Sequence, residues 1–305
     1  MRAVRFDQYG DRDVLYIADL EVPQPAPGEA LVQVRAASIN PGEASIRKGL
    51  LDARWPASFP SGQGTDLAGV VTAVGDGITE FAPGDEVLGW SWARSSQAEY
   101  ATVPVTQLVA KPAALSWEVA GSLNVAGSTA WAAVEAVDPK PGENVVVSAG
   151  AGGVGSIAVQ LVRIRGANVV GIASQANHPW LLARGVTPVA YGDDLEARVR
   201  AAAPGGVDAF IDTFGPEYVE LALALGVSPQ RIDTVTSFER AAEIGARTAG
   251  SADGSTTEAM TALAELAATG RLEVPIAATY PLERVQDAFA ELEQRHTRGK
   301  IVLIP

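Results

Sequence analysis

Apolar positions along the chain follow two different rhythms, and the change falls about a third of the way in. Residues 1 to about 115 carry short β-type runs, at 30–35, 69–74 and 85–89. Turn signals separate them: Pro27-Gly28, Asn40-Pro41-Gly42, Asp76-Gly77 and Pro83-Gly84-Asp85. Short strands with frequent turns predict a compact all-β unit. From about residue 116, strand-like and helix-like segments alternate. Residues 144–148 are apolar and β-branched, and 156–165 carry a helical pattern built on Ile157, Val159, Leu161, Val162 and Ile164. Residues 168–174, 207–212 and 231–235 are further strand candidates. This alternation predicts an α/β arrangement, a parallel sheet covered by helices. The tail predicts a helix over 255–269 stopped by Gly270, a strand at 276–279, a helix over about 282–296 and a last strand at 299–304.

Composition narrows the chemistry. The 305 residues suggest about two domains. With 47% hydrophobic and 19% charged residues, the chain can bury a large core. Acidic side chains number 36 against 23 basic ones, a net charge of −13, which argues against nucleic acid and anionic membrane surfaces as partners. The absence of cysteine excludes disulfides, thiolate metal sites and cysteine nucleophiles, and two histidines leave little for an all-protein zinc site. No secretory h-region opens the chain and no run of 18 apolar residues occurs, so the expected location is the cytoplasm.

The sharpest local signal is Gly150-Ala151-Gly152-Gly153-Val154-Gly155, a G-x-G-x-x-G turn between a strand and a helix. In such a turn Gly150 permits the tight bend, Gly152 lets backbone approach a pyrophosphate, and Gly155 lets helix and strand pack closely. The pyrophosphate then sits at a helix N-terminus, where free N–H groups meet it. An acidic residue at the end of the second strand would select NAD; here Ser174, Asn177 and His178 replace it, which favours NADP(H). The alternative for Ser174 and Asn177 is capping of a helix that begins near Pro179.

These motifs, together with others spread over nearly the whole chain, resemble the medium-chain dehydrogenase/reductases, in the zinc-free quinone oxidoreductase (zeta-crystallin-like) branch. The resemblance rests on the stretch 27–34, on Ser38-Ile39-Asn40-Pro41-Gly42-Glu43 followed by Ile46-Arg47-Lys48-Gly49, on 64–77 with 81–87, on Thr129-Ala130-Trp131, and on Gly299-Lys300 with the apolar run after it. It implies a GroES-like β-barrel substrate domain from 1–115 and 270–305, and a Rossmann NADP(H)-binding domain from 116–269. It also implies a homodimer paired through sheet edges. Zinc-dependent relatives carry a cysteine where this chain has Asn40 and G-H-E where it has Gly64-Thr65-Asp66, so no metal is expected.

Without a metal, a nicotinamide suits a strongly polarised acceptor: a small planar quinone or an α,β-unsaturated carbonyl (enone). By resemblance Asn40 lies at the former metal position, where its amide can donate to the developing oxyanion; a turn-forming asparagine is the competing role. Ser45 falls where some relatives have a tyrosine proposed to assist protonation. Thr129 resembles the residue that meets the nicotinamide, and Tyr191 a ribose-phosphate contact. Phe214, Thr234 and Lys300 complete the expected cofactor-binding set. Trp55, Trp90 and Trp92 are expected in loops that rim the substrate site, with packing as their alternative. Asp66 and Asp85 read as hydrogen-bonding residues of turn and barrel. The expected function is a zinc-independent, NADPH-dependent quinone or enone reductase; the alternative is an NADPH-binding protein with little catalysis, in a structural or storage role.

Overall fold

The computed structural model describes residues 1–305. In chain order its elements are β1 (Arg2–Phe6), β2 (Tyr16–Asp19), β3 (Glu29–Ser38), α1 (Pro41–Arg47), β4 (Ser61–Gly62), β5 (Asp66–Val74), β6 (Glu86–Trp90), β7 (Tyr100–Pro104), β8 (Leu108–Ala110) and α2 (Trp117–Ala120). There follow α3 (Thr129–Val137), β9 (Asn144–Val147), α4 (Gly153–Ile164), β10 (Asn168–Ala173), α5 (His178–Leu182), β11 (Thr187–Ala190), α6 (Leu195–Ala202), β12 (Ala209–Asp212), α7 (Pro216–Ala224), β13 (Ile232–Thr234), α8 (Phe238–Ile244) and α9 (Ser251–Gly254). The chain closes with α10 (Thr257–Ala268), β14 (Ile276–Pro281), α11 (Val285–Glu293) and β15 (Lys300–Ile304).

Two units emerge, Met1–Val125 with Thr256–Pro305, and Ala126–Ser255. Their borders lie 10 to 14 residues from the expected ones at 115/116 and 269/270, because α10 packs against β8 in the first unit.

In the first unit, the ten-residue β3 organises the sheet. It pairs with β5 and β7 along its length and with β15 at its end, through Ala37 and Ser38. Register shifts against β5 at Leu31/Val32 and Val34/Ala36 bend the strand, as bulges do. Alternate residues of β3, β5, β6 and β7 (Val32, Val34, Leu67, Val71, Val87 and Val103 among them) fill the barrel interior. A second core gathers Phe6, Leu15, Ile39, Leu282, Phe289, Ile301 and Leu303. The unit is not all-β: Pro41–Arg47 is helical, although Asn40-Pro41-Gly42 reads as a turn. Proline is tolerated in the first helical turn, and Glu43 accepts from the Asn40 N–H at 3.1 Å, one half of a capping box.

In the second unit the five strands are parallel, in the order β11-β10-β9-β12-β13. Their β-branched runs are buried on both faces, as expected of a parallel sheet covered by helices. At one edge Arg247 donates its N–H to the Ile232 carbonyl at 2.9 Å and accepts from the Thr234 N–H at 3.0 Å. No helix is long and apolar enough to cross a membrane.

Candidate functional site

The expected cofactor residues of the second unit gather at the carboxyl ends of its parallel strands, the edge where such sheets bind ligands. β9 ends at Val147, and the chain turns through Ala149, which takes the left-handed conformation (φ 44°), while Gly150 does not. Gly150 therefore serves another purpose: a Cβ there would lie 3.1 Å from Gly171 Cα on β10. At Gly155 a Cβ would lie 2.2 Å from the Ala149 carbonyl oxygen, an approach that only glycine allows. At Gly152 a Cβ would lie 3.3 Å from the Ala149 carbonyl oxygen, so backbone approaches closely there too.

Helix α4 starts at Gly153, three residues earlier than the apolar pattern predicts, because Gly152 acts as its N-cap and accepts from the Ser156 N–H at 2.9 Å. A glycine cap has no side chain to turn inward, so the first-turn N–H groups of Gly153, Val154 and Gly155 stay available. Oriented donors and the positive end of a twelve-residue helix fit a pyrophosphate.

Ser174 follows β10 directly, and its Oγ accepts from Asn177 Nδ2 at 3.1 Å. Neither side chain caps the short helices that follow, so the capping alternative is not realised. Half-exposed Tyr191 follows β11. Phe214 follows β12 and stacks edge-on against Tyr218 at 5.7 Å. Thr234 departs from expectation. Its buried hydroxyl donates to Asp212 Oδ2 at 2.7 Å and accepts from the Ser237 N–H at 3.1 Å, so it ties strand ends together. Asp212, which the sequence reading passed over, is the hub: it also accepts from Ser148 Oγ at 2.8 Å and from the Phe214 N–H at 2.9 Å. Thr129 is buried at the start of α3, directly after a π-helical turn over Asn124–Ser128.

The first unit holds a buried polar cluster. Asn40 is 4% exposed. Its amide donates to Glu43 Oε1 at 3.2 Å and to Asp66 Oδ2 at 3.1 Å, and its Oδ1 accepts from the Lys300 ammonium. Both amide hydrogens thus have internal partners. Glu43 also accepts from the Thr65 N–H at 3.0 Å and Gln97 Nε2 at 3.1 Å. Burial and the Asp66 charge push its carboxyl up to about 7, although Asn40 and Lys300 pull the other way. Asp66 accepts from the Val125 N–H at 2.6 Å and from Ser38 Oγ.

The Lys300 ammonium lies in this cluster, against Asn40 Oδ1 and Asp66 Oδ2. Gly299 makes that possible: at φ 79°, with its would-be Cβ 2.0 Å from the Pro275 carbonyl oxygen, it lets β15 enter tightly beside Pro275. Ser45 lies one turn along α1 and back-bonds to the Pro41 carbonyl at 3.2 Å. The tryptophans divide. Trp90 is no loop residue but the last residue of β6, 3% exposed. Trp55 and Trp92 are 38% and 46% exposed, and the Arg54 guanidinium lies over the Trp55 ring at 4.6 Å from its centroid. Asp85 accepts from the Ala82 N–H at 2.8 Å within its turn.

Comparisons with known proteins agree with this geometry. Residues 26–113 match the family described as alcohol dehydrogenase GroES-like domain, and residues 184–303 the family described as zinc-binding dehydrogenase. The synaptic vesicle membrane protein VAT-1 homolog of Homo sapiens is 30% identical over 319 residues, covering 93% of this chain and 80% of that protein. The solved quinone oxidoreductase of Coxiella burnetii is 29% identical with a TM-score of 0.88, covering 100% of this chain and 99% of that one. The Escherichia coli quinone oxidoreductase, solved in complex with NADPH, is 27% identical with a TM-score of 0.88 over the whole of both chains. The chain has no cysteine, and no three histidine or acidic side chains come together as a group.

Proposed function

Because the chain belongs to the medium-chain dehydrogenase/reductase superfamily, in its quinone oxidoreductase-like branch, we propose that it is a zinc-independent, NADPH-dependent oxidoreductase of quinones or α,β-unsaturated carbonyls. The observation that carries this reading is the start of α4, where the cap residue is a glycine and no side chain hydrogen-bonds the first turn. A bound reduced nicotinamide supplies hydride to a carbon conjugated with a carbonyl.

The chain's own residues bind and orient. Gly152 to Gly155 hold the pyrophosphate. Ser174 and Asn177 donate hydrogen bonds to the 2′-phosphate where a carboxylate would repel it, and Tyr191 and Phe214 border the adenosine. Thr129 stands beside the nicotinamide. Trp55 and Trp92 offer flat faces to a planar acceptor. Assembly as a homodimer in the cytoplasm belongs to the same reading. The β13 edge is not free for strand pairing, since Arg247 already takes its hydrogen bonds.

The test is NADPH oxidation, followed by absorbance, with 1,2-naphthoquinone, p-benzoquinone and an alkenone, in the presence of a chelator. Turnover undiminished by chelation is expected. A second reading, an NADPH-binding protein with little catalysis, is favoured by one observation: neither Asn40 nor Ser45 has a donor directed away from its own helix or cluster. Tight NADPH binding without turnover on any acceptor selects it. No calorimetric signal with either NADPH or NADH defeats both.

A further inference from the structure

We propose that Lys300 is the resident cation of the first unit's polar cluster: its ammonium takes the place of a metal ion among Asn40, Asp66 and the Ile39 carbonyl, closes that centre to divalent metals, and fixes which way the Asn40 amide points. The inference extends the zinc-independent part of the proposed function and rests on it.

Lysine is almost never this deeply buried without partners, because an ammonium stripped of water is unfavourable unless oxygen acceptors surround it. Lys300 is 4% exposed, and its acceptors are all oxygens. They are Asn40 Oδ1, Asp66 Oδ2 at 3.4 Å and the Ile39 carbonyl at 3.5 Å. The three oxygens come from the adjacent Ile39 and Asn40 and from Asp66 at the start of β5. No sulfur or imidazole is among them. An ammonium fits this set as it stands, and a divalent ion is admitted only where the ammonium is removed.

The charge balance points the same way. Asp66 is wholly buried, and Lys300 supplies the positive charge beside it. Glu43, on the far side of Asn40, is neutralised differently, by four N–H donors. An ammonium has donors only, so Asn40 must face it with oxygen. The amide hydrogens are thereby sent to Glu43 and Asp66. Lys300 is thus a positioning residue that acts through Asn40.

The experiment is thermal unfolding of the full chain, with and without Co²⁺, combined with the visible absorption of bound cobalt. The wild-type protein is expected to show no Asp66-dependent cobalt band and no Asp66-dependent rise in midpoint. Lys300→Ala should lower the midpoint by about 5–10 °C, and Co²⁺ should restore at least half of the loss. That rescue should vanish in Lys300→Ala/Asp66→Asn, whose midpoint without metal should lie above that of the single variant. A cobalt response in the wild type that Asp66→Asn removes would overturn the proposal. So would a folded Lys300→Ala that ignores Co²⁺, or a double variant no more stable than the single one. If Lys300→Ala cannot be purified, the double variant decides: recovery as folded protein supports the pairing, and loss refutes it. Because neither readout is turnover, a chain that oxidises no NADPH still answers the question.

Discussion

Two helices of this protein begin beside residues expected to do chemistry, and they begin in opposite ways. At α4 the cap is Gly152, and no side chain hydrogen-bonds the first-turn N–H groups. At α1 the cap is Asn40, Glu43 folds back onto its N–H, and Lys300, Asp66, Thr65 and Gln97 complete the ring of partners. Glycines leave backbone donors to a visiting anion. At α1 a side chain satisfies the cap residue's own N–H, and the remaining polar side chains bond one another. The contrast separates a binding site from a structural centre more sharply than residue type does, since asparagine and lysine look more chemically able than glycine.

The largest expected effect lies at the open end. Gly152→Val should weaken both NADPH and NADH by roughly 100-fold or more, because a branched side chain stands beside the first-turn N–H groups, with a modest fall in the unfolding midpoint from its approach to the Ala149 carbonyl oxygen. Calorimetry with thermal unfolding measures both. Unchanged binding would mean that the phosphate lies elsewhere.

At the closed end, Asn40→Ala should cost about 2–3 kcal/mol of stability, since Lys300, Glu43 and Asp66 each lose a buried partner. The turnover number of the folded fraction should change far less. A large fall in kcat with an intact midpoint would return Asn40 to the catalytic machinery. Next in size, Ser174→Asp should weaken NADPH roughly tenfold and improve NADH relative to it, by setting a carboxylate against a phosphate.

The smallest effect concerns a buried carboxyl of the second unit. Asp233 accepts from the Ala249 N–H at 2.8 Å, and its other oxygen faces no donor. Burial pushes it up to about 7, with Asp253 and Asp212 adding to the rise. In the unfolded chain it ionises near pH ~3.9. Between those values the unfolded state releases a proton that the folded state keeps, so stability falls as pH rises from about 4 to about 7. Asp233→Asn should flatten that part of the profile. Midpoints of both proteins across pH 4–8 measure the difference; parallel profiles would show that the carboxyl stays ionised.

Much of the second unit was legible in advance. The β-branched runs marked β9, β10, β12 and β13, and Gly150 to Gly155 marked the turn, because strand period and turn chemistry are set by neighbours a few residues apart. Even there the reason for Gly150 was misread: Ala149 bends the chain, and Gly150 makes room for Gly171, a residue on the next strand. In the first unit α1 was hidden, since Asn40-Pro41-Gly42 suits a turn as well as a helix start, and only the fold of Glu43 onto Asn40 separates the two.

Local pattern thus marked many of the strands, the glycine turn and the absence of thiol chemistry. The role of each polar side chain did not follow from it. Lys300 meets Asn40 across 260 residues of chain, and Thr234 meets Asp212 across 22. Whether a buried donor faces a ligand or another part of the protein depends on which distant strand ends the sheets bring together. Desolvation makes that pairing compulsory, and the partner is chosen in three dimensions.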